Sequence, residues 1–148
     1  MTSDARCDVL IVEDSAIQCN EMAEYLRHAG LAVATAYDAR TALAHAQALE
    51  PPVLVLDYNL PDMNGVQLAE ALRALLPSAA ILMMSGRIDG LSEETLQALG
   101  ITVFLNKPVP LGPLRNAVLR LARPSRTAKE APERKPGWLS AGLGGTRR

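Results

Sequence analysis

The chain has 148 residues with nearly balanced charge, 15 Lys and Arg against 16 Asp and Glu, and is long enough for one well-buried domain but too short for two of ordinary size. An apolar content of 49% argues against disorder throughout, and 3% aromatic residues among many Ala, Leu and Val suit helices on a buried sheet better than a β-sandwich. No apolar stretch approaches the ~20 residues that span a bilayer, residues 1–6 lack a secretory pattern, and Cys7 and Cys19 have no metal-site spacing, so the expectation is a cytoplasmic protein with reduced, packed thiols.

In chain order, Asp8-Val9-Leu10-Ile11-Val12 is an apolar run of strand length. The segment after it puts Cys19, Met22, Ala23, Leu26 and Ala29 on one helical face, which Gly30 stops. Leu31 to Ala36 predicts a second strand, Asp38 a helix cap, and Ala42, Leu43, Ala46 and Leu49 the next apolar face, ended by Pro51-Pro52. A third strand at 53–57 leads through the turn-rich Asn59-Leu60-Pro61-Asp62-Met63-Asn64-Gly65 into a helix with Val66, Ala69, Leu72 and Leu76 inward, stopped by Pro77. Ala80 to Met84 predicts a fourth strand and 92–99 a short helix. Ile101 to Leu105 predicts a fifth strand, and 111–122 a helix with Leu111, Leu114, Val118 and Leu121 inward.

Five continuous apolar runs, each followed by a helix, predict a parallel sheet covered on both faces. The simplest α/β architecture is a doubly wound, flavodoxin-like five-stranded sheet with five helices and strand order 2-1-3-4-5. Strand ends then converge on one edge. Glu13 and Asp14 close the first run and Asp57 the third, and three carboxylates within a few ångströms repel unless protonated or joined by a cation. Carboxylates with water suit Mg²⁺ (or Mn²⁺), which completes its shell with phosphate oxygens. Ser85 offers a hydroxyl and Lys107 an ammonium to the far side of a phosphoryl group, Gly86 leaves the approach open, and Asp57 is the candidate nucleophile.

Taken together, Glu13-Asp14, Asp57 in Leu56-Asp57-Tyr58-Asn59-Leu60-Pro61-Asp62-Met63-Asn64-Gly65, Ser85-Gly86 and Lys107-Pro108 resemble the receiver domain of two-component response regulators over residues 7–122. The resemblance implies a phosphoacceptor that catalyses only its own phosphorylation and dephosphorylation. Asp57 accepts phosphate from a sensor histidine kinase or a histidine phosphotransfer protein. Asp14, Asp57 and the main-chain carbonyl of Asn59 hold the metal, with Glu13 acting through a water. Lys107 pairs with the phosphoryl group, aimed by a cis bond to Pro108. Ser85 and Phe104 form the switch, and the face of the fourth helix, fifth strand and fifth helix reaches a downstream protein. Asn59 and Arg87 border the attacking water and tune the phosphoryl lifetime. Ser85 stands where Thr is commoner, which keeps the hydroxyl but loses a methyl, and Phe104 stands where Tyr is commoner, which removes a phenol.

Residues 1–122 hold fourteen acidic and eight basic side chains, whereas 123–148 hold two and seven. With Pro124, Pro132 and Pro136, and no apolar period, 123–148 reads as a basic, disordered tail, and 1–6 as a short lead. His28 and His45 read as solvated helix residues. No DNA-binding motif or membrane segment is recognisable, and residues 100–106 lack the charged pairing pattern of transcription-factor receivers, which predicts a monomer or weak dimer. The expectation is a single-domain response regulator or relay component. Alternatives are the receiver of a hybrid kinase, a phosphatase of the haloacid dehalogenase type, disfavoured because Asn59 stands where its acid/base Asp is needed, and a flavodoxin-like carrier, whose phosphate Glu13-Asp14-Ser15 repels.

Overall fold

The computed structural model describes residues 6–86 and 92–130, with 123–130 described by backbone alone. Strands β1 (Val9–Val12), β2 (Val33–Ala36), β3 (Val53–Asp57), β4 (Ala80–Ser85) and β5 (Ile101–Asn106) alternate with helices α1 (Ala16–His28), α2 (Ala39–Leu49), α3 (Gly65–Leu75), α4 (Glu93–Ala98) and α5 (Leu111–Glu130). All strand pairs are parallel, in the order β2-β1-β3-β4-β5. The predicted fold is the observed one.

Strand side chains alternate between two cores because successive Cβ atoms point to opposite faces. Val9, Ile11, Val53, Val55, Leu82 and Met84 meet Cys19, Met22, Leu26, Leu114 and Val118 of α1 and α5. Leu10, Val12, Leu54, Leu56, Ile81 and Met83 meet α2 and α3 through Ala42, Ala46, Leu68 and Leu72. Burial on both faces explains why the strands read as unbroken apolar runs. Helix α4 has no buried residue and is held through its half-buried Leu96 and the adjoining Leu99.

The helix ends follow local chemistry. Ser15 caps α1, Asp38 caps α2 and Ser92 caps α4, each accepting from the backbone N–H three residues on. Asn64 and Gln67 form a reciprocal capping box on α3. Gly30, at φ +92°, follows α1 as the stop predicted from sequence.

Some expectations shift. Strand β2 starts at Val33 rather than Leu31, and β4 extends to Ser85. The inner face of α3 is Gly65, Leu68, Ala69 and Leu72, with Val66 half-buried. On α5, Leu114, Ala117, Val118 and Ala122 are buried, while Leu111 and Leu121 are half-buried. Helix α5 continues to Glu130, past the end predicted at 122. Pro124 lies within this stretch and removes one N–H from its ladder without ending the helix. The rest of the predicted tail, 131–148, and nearly all of the predicted lead lie outside the described residues. His45 is half-buried rather than solvated, and its Nδ1 is a buried atom without a hydrogen-bond partner.

Candidate functional site

The strand order reverses between β1 and β3, and in open α/β sheets ligands bind outside the carboxyl ends of the strands at that point. Val12 is the register partner of Leu56, so Glu13 continues β1 beside Asp57 at the end of β3. Asp57 in turn pairs with Met84, and Ser85 with Asn106, which puts Lys107 just beyond β5 on the same edge. Backbone bonds extend the ladder outward: Glu13 N–H donates to Ala36 O (3.0 Å), Tyr58 N–H to Met84 O (2.8 Å) and Lys107 N–H to Ser85 O (2.9 Å). The site is rooted in the sheet.

Glu13 and Asp57 are almost fully buried, at 1% and 2% exposure, whereas Asp14 is exposed. Lys107 Nζ lies 2.8 Å from Glu13 Oε1 and 3.1 Å from Asp57 Oδ2, so one ammonium is shared by two buried carboxylates. The other oxygens are held by the main chain. Ser15 N–H donates to Glu13 Oε2 (3.1 Å) and Asn59 N–H to Asp57 Oδ1 (3.2 Å). Ligand atoms of Glu13, Asp14 and Asp57 lie within 4.8 Å of one another.

Burial pushes the Glu13 carboxyl up; Lys107 and the Ser15 N–H oppose the rise, and the Asp57 charge adds to it. For Lys107, burial is the largest single influence and lowers its pKa, but bonding and attraction to Glu13 and Asp57 together outweigh it and hold the ammonium above its usual value. Cys19, buried beneath this edge, has its thiol pushed up to about 11 by burial and then by the Glu13 charge. Both cysteines are free and buried.

The donor set fits a hard divalent cation. It is all oxygen, it carries more negative charge than Lys107 neutralises, and Glu13 Oε1 is buried without a directed hydrogen bond despite its contact with the ammonium. Beside the shared ammonium, a cleft of about 480 Å³ opens between α1 and the start of α5, with Gln18 and Glu21 on its rim and Met22, Val109 and Leu111 as apolar lining.

Residues 9–119 match the response regulator receiver domain family. The chain belongs to that family. This receiver is 36% identical over 103 residues to protein-glutamate methylesterase/protein-glutamine glutaminase 3 of Rhodospirillum rubrum, covering 68% of the chain and 28% of that protein. It is 33% identical over 115 residues to the transcriptional regulatory protein PrrA of Mycobacterium tuberculosis, covering 78% and 49%. It thus spans roughly a quarter to a half of these two relatives. Among solved structures, the chemotaxis protein CheY4 of Vibrio cholerae superposes with a TM-score of 0.71 at 32% identity, over 79% of this chain and 99% of that one. Receiver domains of this family bind Mg²⁺ in an acidic pocket and are phosphorylated on aspartate, and this receiver has the acidic group.

The structure brings Glu13, Asp14, Asp57 and Lys107 together. Ser85 is fully buried at the end of β4. Asn59 is exposed and bridges to Asn64 across the loop. Phe104 is half-buried on β5, opposite Met83 and packed on the α2–α3 core. The Lys107–Pro108 bond is cis, and among the described residues a Cβ at Gly86 would meet nothing nearer than Lys107 Cβ at 4.0 Å. Arg87 lies outside the described residues.

Three residues not singled out from sequence shape the surroundings. Gly65 packs so closely that a Cβ would lie 2.7 Å from Tyr58 Cα, and its N–H donates to Tyr58 O (2.6 Å). The Asn64-x-x-Gln67 box marks the helix start but not this contact. Asp62 accepts from the backbone of α2, and Arg73 donates to the carbonyls of Leu99, Pro77, Ala79 and Gly100. Both reach across the fold, where local pattern carries no signal.

Proposed function

We propose that Asp57 accepts a phosphoryl group from the phosphohistidine of a sensor histidine kinase or histidine phosphotransfer protein in a Mg²⁺-dependent (or Mn²⁺-dependent) reaction, and that the modification switches protein contacts. The observation that carries this reading is the ammonium of Lys107, 3.1 Å from Asp57 Oδ2 and 2.8 Å from Glu13 Oε1, beside a third carboxylate. A buried aspartate so placed is a nucleophile with charge stabilisation already assembled around it.

In the transfer, an Asp57 carboxylate oxygen forms a bond to phosphorus as the P–N bond of the donor breaks, and the imidazole leaves with that electron pair. Lys107 turns from the carboxylates to a phosphoryl oxygen, and the Ser85 hydroxyl donates to another. Asp14, Asp57 and the Asn59 carbonyl, with Glu13 through a water, would hold the metal, which supplies positive charge against the phosphoryl oxygens. The cleft beside Lys107 supports approach of a protein donor from the α1–α5 side.

Removal of the Ser85 hydroxyl from its resting place opens room for the half-buried Phe104, and the lightly held α4 supports output through the α4–β5–α5 face. Asn59 and Arg87 tune hydrolysis of the acyl phosphate, and the protein is a monomer or weak dimer. The test is intact mass after incubation with Mg²⁺ and acetyl phosphate, wild type against Asp57→Ala. One acid-stable, base-labile adduct that requires Asp57 and the metal is expected. Failure to form it while Mg²⁺ binds defeats the proposal.

A further inference from the structure

The loop between β3 and α3 carries Asn59, and its tip is fastened to a different helix. Asp62 Oδ1 accepts from Ala39 N–H (2.9 Å) and Oδ2 from Arg40 N–H (3.0 Å), so its carboxylate spans the first two amides of α2. Asp38 takes the third, Thr41 N–H (2.7 Å), and the first intrahelical bond follows, Ala42 N–H to Asp38 O (3.1 Å). A helix start leaves amides that need outside acceptors. Here a local cap supplies one acceptor and a loop 22 residues downstream supplies two. The bonds stabilise the carboxylate form, and the Asp62 carboxyl titrates below its usual value, with the Ala39 amide as the largest cause.

Further ties lie at the base of the loop, among them Tyr58 N–H to Met84 O, Asn59 N–H to Asp57 Oδ1, the Asn59–Asn64 bridge, the Asn64–Gln67 capping box, and Gly65 N–H to Tyr58 O. Between these, Leu60 and Met63 lie against the α2–α3 core and Asp62 grips α2. The Asn59 main chain is therefore fixed from below by Asp57 and from the tip by Asp62.

We propose that Asp62 is a positioning residue for the metal side of the site, holding loop 58–64 in its cation-ready conformation by gripping the N-terminus of α2. This rests on the reading above that Asn59 contributes a ligand, and Asp62 itself touches neither metal nor phosphoryl group. A residue that orients a ligand typically changes metal affinity by about 10–100-fold when removed, and an exposed anchor belongs at the low end, about 10-fold.

The test uses the full chain without phosphorylation. Mg²⁺ is titrated against wild type, Asp62→Ala, Asp62→Glu and Asp38→Ala, followed by the amide NMR signals of Tyr58 and Asn59, with hydrogen exchange of the Asn59 amide measured in the metal-free proteins. Asp38→Ala removes a cap from the same helix end without touching the loop. Expected are about 10-fold weaker Mg²⁺ binding and faster Asn59 exchange in Asp62→Ala, recovery in Asp62→Glu, and wild-type values in Asp38→Ala. Unchanged affinity in Asp62→Ala, or an equal loss in Asp38→Ala, overturns the proposal, since the carboxylate then serves α2 and not the site. If wild type binds no Mg²⁺, the metal-dependent function falls. The exchange arm still decides whether Asp62 anchors the loop, and unchanged exchange rejects that too.

Discussion

At the scale of residues, Lys107 is the one cation among the described residues in direct contact with Glu13 and Asp57, and it does not bring Glu13 back to ordinary behaviour. Burial raises the Glu13 pKa above 4.5, so the folded protein holds that proton more tightly than the unfolded chain does. The contribution of Glu13 to stability is therefore fully present below pH 4.5 and is lost as pH rises through its folded pKa. Glu13→Gln fixes a neutral isostere in place. It should raise metal-free stability at pH 7 by about 1 kcal/mol, and flatten this part of the pH profile, while weakening Mg²⁺ binding. Urea unfolding at several pH values checks it, and an unchanged slope in the variant would reject the assignment. The residues meeting here were legible because each ends or follows an apolar run, and a parallel sheet gathers such ends. Asp62 was not, because a Pro-Asp step in a turn-rich loop reads as local chemistry, and its partners lie 22 and 23 positions away.

At the scale of elements, α3 is where the sequence reading turned the helix slightly wrong. A face drawn from Val66 omits Leu68, whereas the buried stripe starts one residue earlier at Gly65, which has no side chain to announce it. That glycine lets the start of α3 lie against the end of β3. A Cβ at 65 would meet Tyr58 Cα at 2.7 Å, Met83 Sδ at 2.8 Å and Asp57 O at 3.0 Å, and the two backbone contacts cannot swing aside. Gly65→Ala should thus cost about 2–3 kcal/mol and displace the loop carrying Asn59. By contrast Gly86→Ala, whose added carbon meets only Lys107 Cβ at 4.0 Å among the described residues, should stay within about 0.5 kcal/mol of wild type. Equal denaturation midpoints for wild type and Gly65→Ala would show that α3 shifts freely. The strands were easier to read than the helix faces, since burial on both sides leaves no phase to misjudge. The extension of α5 beyond 122 was missed because Pro124 was weighed as a stop, although the backbone carries the helix through it.

At the scale of the whole molecule, folding brings Asp57 to the Glu13-Asp14 pair, from which the unfolded chain separates it, by setting the neighbouring strands β1 and β3 inside the sheet. A cation that needs all of them binds the folded state and not the unfolded one, so its binding free energy adds to stability. At 100 times its dissociation constant, Mg²⁺ should contribute about 2.7 kcal/mol. For a domain of this size, that raises the melting temperature by roughly 10 °C. The increment should shrink as pH falls towards 4.5 and protons compete for the same oxygens. It should also be smaller in Asp57→Asn, which removes one charge but retains an oxygen to accept the Asn59 N–H. Screening predicts something different, because NaCl at equal ionic strength would then stabilise as well as MgCl₂ does. Thermal melts in the two salts separate these explanations: equal shifts would mean that like charges at the sheet edge are merely screened, and a shift specific to Mg²⁺ means that the edge is built to be closed by a divalent ion.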